Sequence, residues 1–131
     1  IEGRIGAKLD VELIRGSVRT ILFSKSLKHK WIQYDFIYSL GLMDYLSTRI
    51  GKAVISKLYQ MLKPGGEMII GNFHTSNASR VYMEYWFDWV LNLRTEDDLS
   101  ELAVDIPSAG RSIFFEDTGS QMFLHLRKPA A

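Results

Sequence analysis

The chain has 131 residues, 47% of them apolar, which is enough to form one compact domain with a hydrophobic core. Its 16 Lys and Arg residues nearly balance 15 Asp and Glu residues, and a net charge of +1 does not favour a nucleic-acid-binding protein. The absence of cysteine excludes disulfides, thiolate metal sites and cysteine nucleophiles, and fits a cytoplasmic location. We find neither an apolar run of membrane-spanning length nor a secretion signal, so no membrane association is expected.

The amino-terminal part of the chain gives mixed signals. Residues 1–4, Ile-Glu-Gly-Arg, spell the recognition sequence of a protease used to remove fusion tags. They are either a remnant of such a cleavage or the native end of a helix, for which Arg4 and Lys8 are suitable. Residues 11–14 alternate in polarity and predict a short strand, and residues 18–31 have partly helical spacing.

The central part predicts a strand, a helix and a second strand. Residues 34–40 are an apolar run typical of a buried parallel strand. Residues 46–62 carry apolar side chains every four positions, which indicates an amphipathic helix with Ser47 or Thr48 as its cap. Lys-Pro-Gly-Gly at 63–66 ends this helix, and residues 67–73 form the next apolar run. A helix between two such strands implies that the strands are parallel.

The remaining third predicts two helices and a hairpin. Residues 80–93 form a helical pattern rich in aromatic side chains. Thr95 has the spacing of an N-cap for a short helix that buries Leu99, Leu102 and Ala103, and Pro107 and Gly110 end that helix. Residues 112–116 and 121–127 alternate in polarity around a turn at 117–120, which predicts a terminal β-hairpin.

The order of these elements, with YDFIYS at 34–39 and LKPGGEMII at 62–70, resembles strand four, the following helix and strand five of class I S-adenosylmethionine-dependent methyltransferases. The resemblance extends over residues 9–128. It implies an α/β fold in which residues 1–131 are a single domain, the carboxyl-terminal part of a methyltransferase domain. Its partial Rossmann-like sheet would contain the family's strands three to seven, with helices on both faces and a C-terminal antiparallel β-hairpin.

The family's first two strands are missing from this sequence. With them are missing the glycine-rich loop that holds the amino acid part of S-adenosylmethionine and the acid that holds its ribose. The chain therefore resembles a fragment, produced by design, proteolysis or gene truncation, and we expect it to be inactive alone.

More narrowly, YSLGLMDYL at 38–46, Gly-Asn-Phe at 71–73, Asp-Trp at 88–89 and Arg-Thr at 94–95 resemble a bacterial subgroup. That subgroup is associated with making methyl esters of 3-hydroxy fatty acids as extracellular signals. The resemblance implies S-adenosylmethionine as the cofactor of the full-length protein and a small molecule, with a fatty-acyl carboxylate as the candidate, as methyl acceptor.

By the same resemblance, two places match cofactor contacts. Ser17 and Val18 follow the position of strand three, where family members hold the adenine ring; capping of the next helix is the alternative role for Ser17. Ser39, Leu40 and Gly41 end strand four, where methyl group and substrate meet, and a simple strand-ending turn is the alternative.

Asp44 and Tyr45 are the candidate catalytic residues, because a carboxylate beside a phenol could orient a substrate or accept a proton. Asp44 as a helix cap and Tyr45 at the edge of the core are the alternatives. A carboxylate acceptor is already ionised, so positioning for in-line attack is expected to dominate the reaction.

Candidate substrate contacts follow strand five and lie on the aromatic helix. Asn72 and His74 come at the edge where α/β sheets bind ligands. Tyr82 and Trp86 could line an acyl-chain pocket, and packing in the core is the alternative for this helix. The histidines have no ligand spacing, so no metal site is predicted.

The family's strand order, 3-2-1-4-5-7-6, leaves the 34–40 strand with an unpaired edge in this chain. We expect either that residues 11–14 pair there or, preferably, that two chains join as a homodimer. The leading function is methyl transfer, and the alternative is a non-catalytic interaction domain or remnant with a methyltransferase-like fold. An α/β-hydrolase-like domain is disfavoured, since no nucleophile elbow is present.

Overall fold

The computed structural model describes residues 10–25, 33–107 and 109–130. A short 3₁₀ turn, Met43–Tyr45, lies between the first strand and the second helix. The helices and strands follow in the order α1 (Val18–Phe23), β1 (Tyr34–Ser39), α2 (Thr48–Gln60), β2 (Leu62–Phe73), α3 (Arg80–Phe87), α4 (Glu96–Glu101), β3 (Gly110–Phe115) and β4 (Gln121–Arg127). Residues 1–4, and the part of the predicted first helix at 26–31, lie outside the described residues.

The four strands form one sheet in the order β1-β2-β4-β3. β1 and β2 are parallel, with Tyr38 opposite Ile69, and β4 is antiparallel to both β2 and β3. If the strands are counted as four to seven of the family, this order is 4-5-7-6. The predicted α/β fold class, the parallel central pair and the terminal hairpin are therefore confirmed.

The strand predicted at residues 11–14 was wrong. These residues form no helix or strand, and the side chain of Leu13 is 92% exposed. A strand without a neighbour gains no ladder hydrogen bonds, and no strand of the described residues pairs with residues 11–14. Residues 11–14 also do not pair with β1, which was the first of the two expected ways of covering that edge.

The connection from α2 to β2 is shorter than predicted, because residues 63–66 belong to β2 and do not form a separate turn before it. Ser47 caps α2 by accepting a hydrogen bond from the Ile50 amide at 3.4 Å, as one of the two predicted caps. The helix ends at Gln60, and β2 begins immediately at Leu62. Gly65 adopts a left-handed φ of 78°, which explains the glycine there. The register between β1 and β2 shifts at this point before regular pairing resumes.

The hydrophobic core lies between one face of the sheet and the helices α1, α2 and α4. Its fully buried side chains come mainly from α2, β2 and β4: Val54, Ile55, Met68, Ile70, Met122, Leu124 and Leu126. The α2 stripe buries Val54, Ile55 and Tyr59 as predicted, and it differs from the prediction at its start, where Ile50 is exposed and Gly51 is buried. Burial of this stripe against the sheet stabilises the fold.

The opposite face of the sheet is less covered than the expected arrangement with helices on both faces. Phe36, Tyr38 and Phe114 are exposed there, and Phe114 stacks on Phe123 with ring centroids 5.1 Å apart. Among the described residues, none of α3 belongs to the core cluster.

The short helix α4 forms as predicted. The Thr95 hydroxyl accepts a hydrogen bond from the Asp98 amide, and the Asp98 carboxylate accepts one from the Thr95 amide, a reciprocal capping box. Leu99, Leu102 and Ala103 are buried. The helix ends at Glu101, before Pro107 and Gly110. No helix in the described ranges has the length and apolar character that crossing a bilayer requires.

Candidate functional site

The candidate site lies where β1 and β2 end side by side. Ser39 pairs with Ile70, so the turn after β1 and the residues after Ile70 meet at one edge of the sheet. This is the edge at which open α/β sheets bind ligands. Gly71 brings the two segments close together, because a Cβ there would lie 3.4 Å from the Leu40 Cα atom.

The strand end at Ser39, Leu40 and Gly41 is open to solvent. Leu40 and Gly41 are exposed, and a Cβ atom added at Gly41 would meet no atom within 4 Å. The Leu40 carbonyl accepts one hydrogen bond, from the Gln121 side chain at 3.4 Å. The proposed cofactor edge therefore offers free space and exposed backbone.

A buried polar network underlies this edge, and Arg94 is at its centre. The side chain of Arg94 is buried, with 4% of the residue exposed. Its guanidinium donates to the Met43 carbonyl at 2.7 Å, the Leu46 carbonyl at 2.6 Å and the Asn72 Oδ1 atom at 2.6 Å. One side chain thus joins the turn after β1 to the end of β2.

Asp44 belongs to the same network and is not exposed. Its Oδ1 atom accepts a hydrogen bond from the Phe73 amide at 2.7 Å, and its own carbonyl accepts one from the Asn92 amide at 2.7 Å. Burial raises the pKa of the Asp44 carboxyl, while the Phe73 amide and the Arg94 charge act in the opposite direction. Burial likewise lowers the pKa of Arg94, with Asp44 opposing that effect.

Asn72 is fully buried and uses both ends of its amide. Besides accepting from Arg94, it donates to the Phe73 carbonyl at 2.9 Å and to the Asn92 carbonyl at 3.0 Å. All its contacts hold the end of β2 in place. The structure therefore places this predicted substrate contact below the open edge instead of on its surface.

Tyr45 is exposed beside this network. Its hydroxyl accepts a hydrogen bond from the Trp89 indole N–H at 2.8 Å. Asn92 also donates from its side chain to the Leu46 carbonyl at 3.2 Å. The segment after α3 is thereby bound along the turn that carries Asp44 and Tyr45.

This binding explains why α3 is shorter than predicted. The sequence pattern predicts a helix over 80–93, but it ends at Phe87, and Asp88 adopts a left-handed φ of 49°. The Trp89 amide donates back to the Met83 carbonyl at 3.1 Å, which closes the helix end. The following residues leave the helix to make the contacts with Tyr45 and Leu46.

His74 is held by neighbours at the start of the loop after β2. Its Nδ1 atom lies 2.7 Å from the Ser76 hydroxyl and 3.1 Å from the Ser76 amide, and its Nε2 atom lies 3.5 Å from a Glu96 carboxylate oxygen. The ring meets Phe115 edge-on, with centroids 5.3 Å apart. These contacts link the loop to α4 and β3.

The aromatic side chains of α3 are exposed, and the alternative of core packing for this helix was wrong. Tyr85 is 79% and Trp86 70% exposed, and Tyr82 is also exposed. Met83 is the only buried residue of α3. Tyr82 and Phe87, and Tyr85 and Trp86, instead contact each other edge-on.

Ser17 is the N-cap of α1, and Val18 is the first residue of that helix. The Ser17 amide donates to the Thr20 hydroxyl at 3.1 Å, so Ser17 takes part in the capping that was its alternative role. Val18 lines an apolar groove of about 710 Å³ between α1 and α2, which also includes Leu46 and Ile50. The groove thus begins beside the turn that carries Asp44.

Arg94 and Asn92 are the residues of this site that the candidate residues did not include. Arg94 appears in the sequence only as half of the Arg-Thr pair of the subgroup resemblance. Apart from that pair, neither residue has a periodic or motif signal, and a lone arginine in a polar stretch is usually a solvated side chain. Its burial depends on contacts with residues 43–46 and 72, which are distant in sequence.

The buried polar groups of the site hold the two strand ends in fixed positions. They donate to and accept from one another, and no buried side-chain N or O atom of the described residues lacks a partner. Such a network is rigid and is sensitive to the loss of any member. The open surface above it consists of Ser39, Leu40, Gly41 and Tyr45.

No protein-family model and no curated relative matches the sequence. Solved structures match the fold. A Bordetella parapertussis protein described as a possible exported protein superposes with a TM-score of 0.65 at 18% identity, over 75% of this chain and 40% of that chain. An O-methyltransferase family protein from Burkholderia thailandensis gives a TM-score of 0.62 at 15% identity, over 85% of this chain and 34% of that one.

A third match is the S-adenosylmethionine-dependent methyltransferase SibL in its apo form, with a TM-score of 0.61 at 11% identity, over 75% of this chain and 32% of that one. At these identities the likeness establishes the fold. This chain spans less than half the length of each of the three proteins.

Proposed function

We propose that this chain is the carboxyl-terminal half of an S-adenosylmethionine-dependent methyltransferase that acts on a small acceptor, with a fatty-acyl carboxylate as the candidate. The observation that carries the proposal is the strand order β1-β2-β4-β3, with an open strand end directly above a rigid polar network. Neighbours in structure include SibL, whose name states its dependence on S-adenosylmethionine. The subgroup and its substrate rest on the sequence resemblance.

The open edge fits the methyl-bearing end of the cofactor. Ser39, Leu40 and Gly41 would contact it through exposed backbone, and the space around Gly41 leaves room for a ligand. When bound, S-adenosylmethionine supplies an electrophilic methyl group on a sulfonium. Ser17 and Val18 would lie on the adenine side, although their groove is on the α1 flank.

The chain's own residues would act by positioning the acceptor. Tyr45 is exposed at the edge, where its hydroxyl can orient a small acceptor while Trp89 holds it. Asp44 would act from below by fixing the Phe73 backbone, and Asn72 and His74 would fix the end of β2 in the same way. Tyr82 and Trp86 could provide an apolar wall for an acyl chain. In-line geometry can contribute most of the acceleration in such a reaction.

Calorimetric titration of S-adenosylhomocysteine tests the proposal. The full-length protein is expected to bind with a dissociation constant in the micromolar range, whereas the 131-residue chain is expected to bind at least about 100-fold more weakly, since glycine-rich loops supply the main anion contacts of such sites. Transfer of a radiolabelled methyl group to a panel of small carboxylates then identifies the acceptor. Tight binding to the 131-residue chain would contradict the assignment of this chain as half of the site.

A second candidate is a non-catalytic interaction domain, which the exposed aromatic helix α3 favours. Surfaces with several large exposed aromatic side chains commonly bind partners. The two candidates differ in the full-length protein: an interaction domain would neither bind S-adenosylhomocysteine nor transfer a methyl group.

A further inference from the structure

Arg94 connects three separate segments of the chain. They are the turn at residues 43–46, the end of β2 at Asn72, and the residues around Arg94 itself, whose amide donates to the Phe73 carbonyl at 3.1 Å. The Arg94 carbonyl in turn accepts a hydrogen bond from the Thr75 amide at 3.1 Å. The backbone of Arg94 therefore holds the end of β2, and its side chain joins that end to the turn after β1.

We propose that Arg94 is a positioning residue of this site: it sets the turn at residues 43–46 against the end of β2 and so determines where Tyr45 and the Ser39–Gly41 edge lie. The inference rests on the proposed function, because it assigns a role within the same site. Arg94 is only 4% exposed and its guanidinium donors are used within the chain, so its action is through the groups it holds.

The geometry requires a guanidinium. Two nitrogens of one planar group reach the carbonyls of Met43 and Leu46 and the amide oxygen of Asn72, all within 2.7 Å. A lysine ammonium carries its donors on a single nitrogen and is a strongly hydrated point charge, so it cannot span these acceptors in the same way.

Tyr45 is the residue most directly affected. In sequence it lies between Met43 and Leu46, whose carbonyls accept hydrogen bonds from Arg94. Its hydroxyl accepts a hydrogen bond from the indole of Trp89, five residues before Arg94. If the turn moves, the hydrogen bond between Tyr45 and Trp89 lengthens or breaks. The indole N–H of Trp89 therefore reports on the position of the turn.

Arg94→Lys in the full-length protein tests the inference, with Arg111→Lys as the matched control. Arg111 also donates from its guanidinium to two backbone carbonyls, those of Ala103 and Ile106, which are not part of the site. At a temperature where circular dichroism shows both variants folded, Arg94→Lys is expected to lower kcat at least about tenfold with a smaller change in the KM for the acceptor. Arg111→Lys is expected to stay within about twofold of the parent kcat.

A second measurement does not need activity. In ¹H–¹⁵N spectra of the 131-residue chain, the Trp89 indole resonance, assigned with Trp89→Phe, is expected to shift in Arg94→Lys and to stay in place in Arg111→Lys. If Arg94→Lys does not fold, Arg94→Gln decides, because the two N–H donors of its amide can reach at most two of the three acceptors, and it is expected to shift the same resonance.

The inference is overturned if the decisive variant, Arg94→Lys or its substitute Arg94→Gln, leaves the Trp89 resonance unchanged, or if Arg94→Lys and Arg111→Lys lower kcat equally. A full-length protein that transfers no methyl group would refute the proposed function alone, and the indole measurement would still decide the role of Arg94.

Discussion

Glu116 organises the turn between β3 and β4. Its carboxylate accepts hydrogen bonds from the Thr118 hydroxyl, from the amides of Thr118 and Ser120 at 2.7 Å, and from the amide of Gln121 at 3.1 Å. These donors favour the charged form and lower the pKa of Glu116 from its ordinary value of 4.5 to about 2, with the Thr118 hydroxyl as the largest cause.

A depressed pKa in the folded state stabilises the turn above pH 4.5, and this contribution is lost as the pH falls through about 2. We expect the backbone amide resonances of Thr118 and Ser120 to titrate with a midpoint near 2 and to lose this transition in Glu116→Gln. A midpoint near 4.5 would show that the carboxylate does not hold the turn in solution.

Asp44 lies in the opposite environment to Glu116, because burial raises the pKa of its carboxyl. Its surroundings could be predicted only in part from the sequence. Its place after a strand end identified it as a candidate, and the structure does put it at that strand end. The sequence could not show that its carboxylate accepts a hydrogen bond from the Phe73 amide, or that the Arg94 charge acts on it. Burial of a charge depends on partners far away in the chain, and local spacing carries no information on them.

In the connection between α2 and β2, the backbone packs closely around Gly66. A Cβ atom added at Gly66 would lie 2.9 Å from the Lys63 carbonyl oxygen and 3.1 Å from those of Tyr34 and Asp35. These are backbone atoms that can move only with β1 and β2. We expect Gly66→Ala to lower the free energy of unfolding by about 2 kcal/mol, measured by urea denaturation.

Two other glycines are controls for this prediction. Gly65 has a left-handed φ but open space, so Gly65→Ala is expected to cost about 1 kcal/mol. Gly41 has open space and no left-handed φ, so Gly41→Ala is expected to stay within about 0.5 kcal/mol of the parent. Equal effects at Gly66 and Gly41 would contradict the tight approach of the two strands.

The elements with strong periodic or turn signals were predictable, and those that depend on distant contacts were not. The α2 stripe, its Ser47 cap, the box at Thr95 and the terminal hairpin follow from local spacing. The end of α3 does not, because Asp88 has no helix-breaking signal and the chain leaves the helix for contacts with Tyr45. The strand at residues 11–14 had a local pattern and no partner.

For the whole molecule, β1 is the edge strand of the sheet, and no strand of the described part pairs with its outer side. The side chains of Tyr34, Phe36 and Tyr38 on this strand are exposed, that of Tyr38 to 65%. An apolar strand with unpaired N–H and C=O groups is a template for pairing with a second strand. We propose that the 131-residue chain dimerises through this edge.

Sedimentation velocity of the 131-residue chain at about 10–50 μM is expected to show a dimer, because interfaces of moderate affinity have dissociation constants in the micromolar range. Phe36→Lys together with Tyr38→Lys is expected to give a monomer, because paired β1 strands would bring like charges close together across the edge. Tyr85→Lys on α3 is the matched control, since it replaces another exposed aromatic side chain and leaves β1 unchanged. A monomeric parent chain would exclude dimerisation at these concentrations. A monomeric Tyr85→Lys variant would place the interface on α3, because pairing through β1 does not involve the Tyr85 side chain.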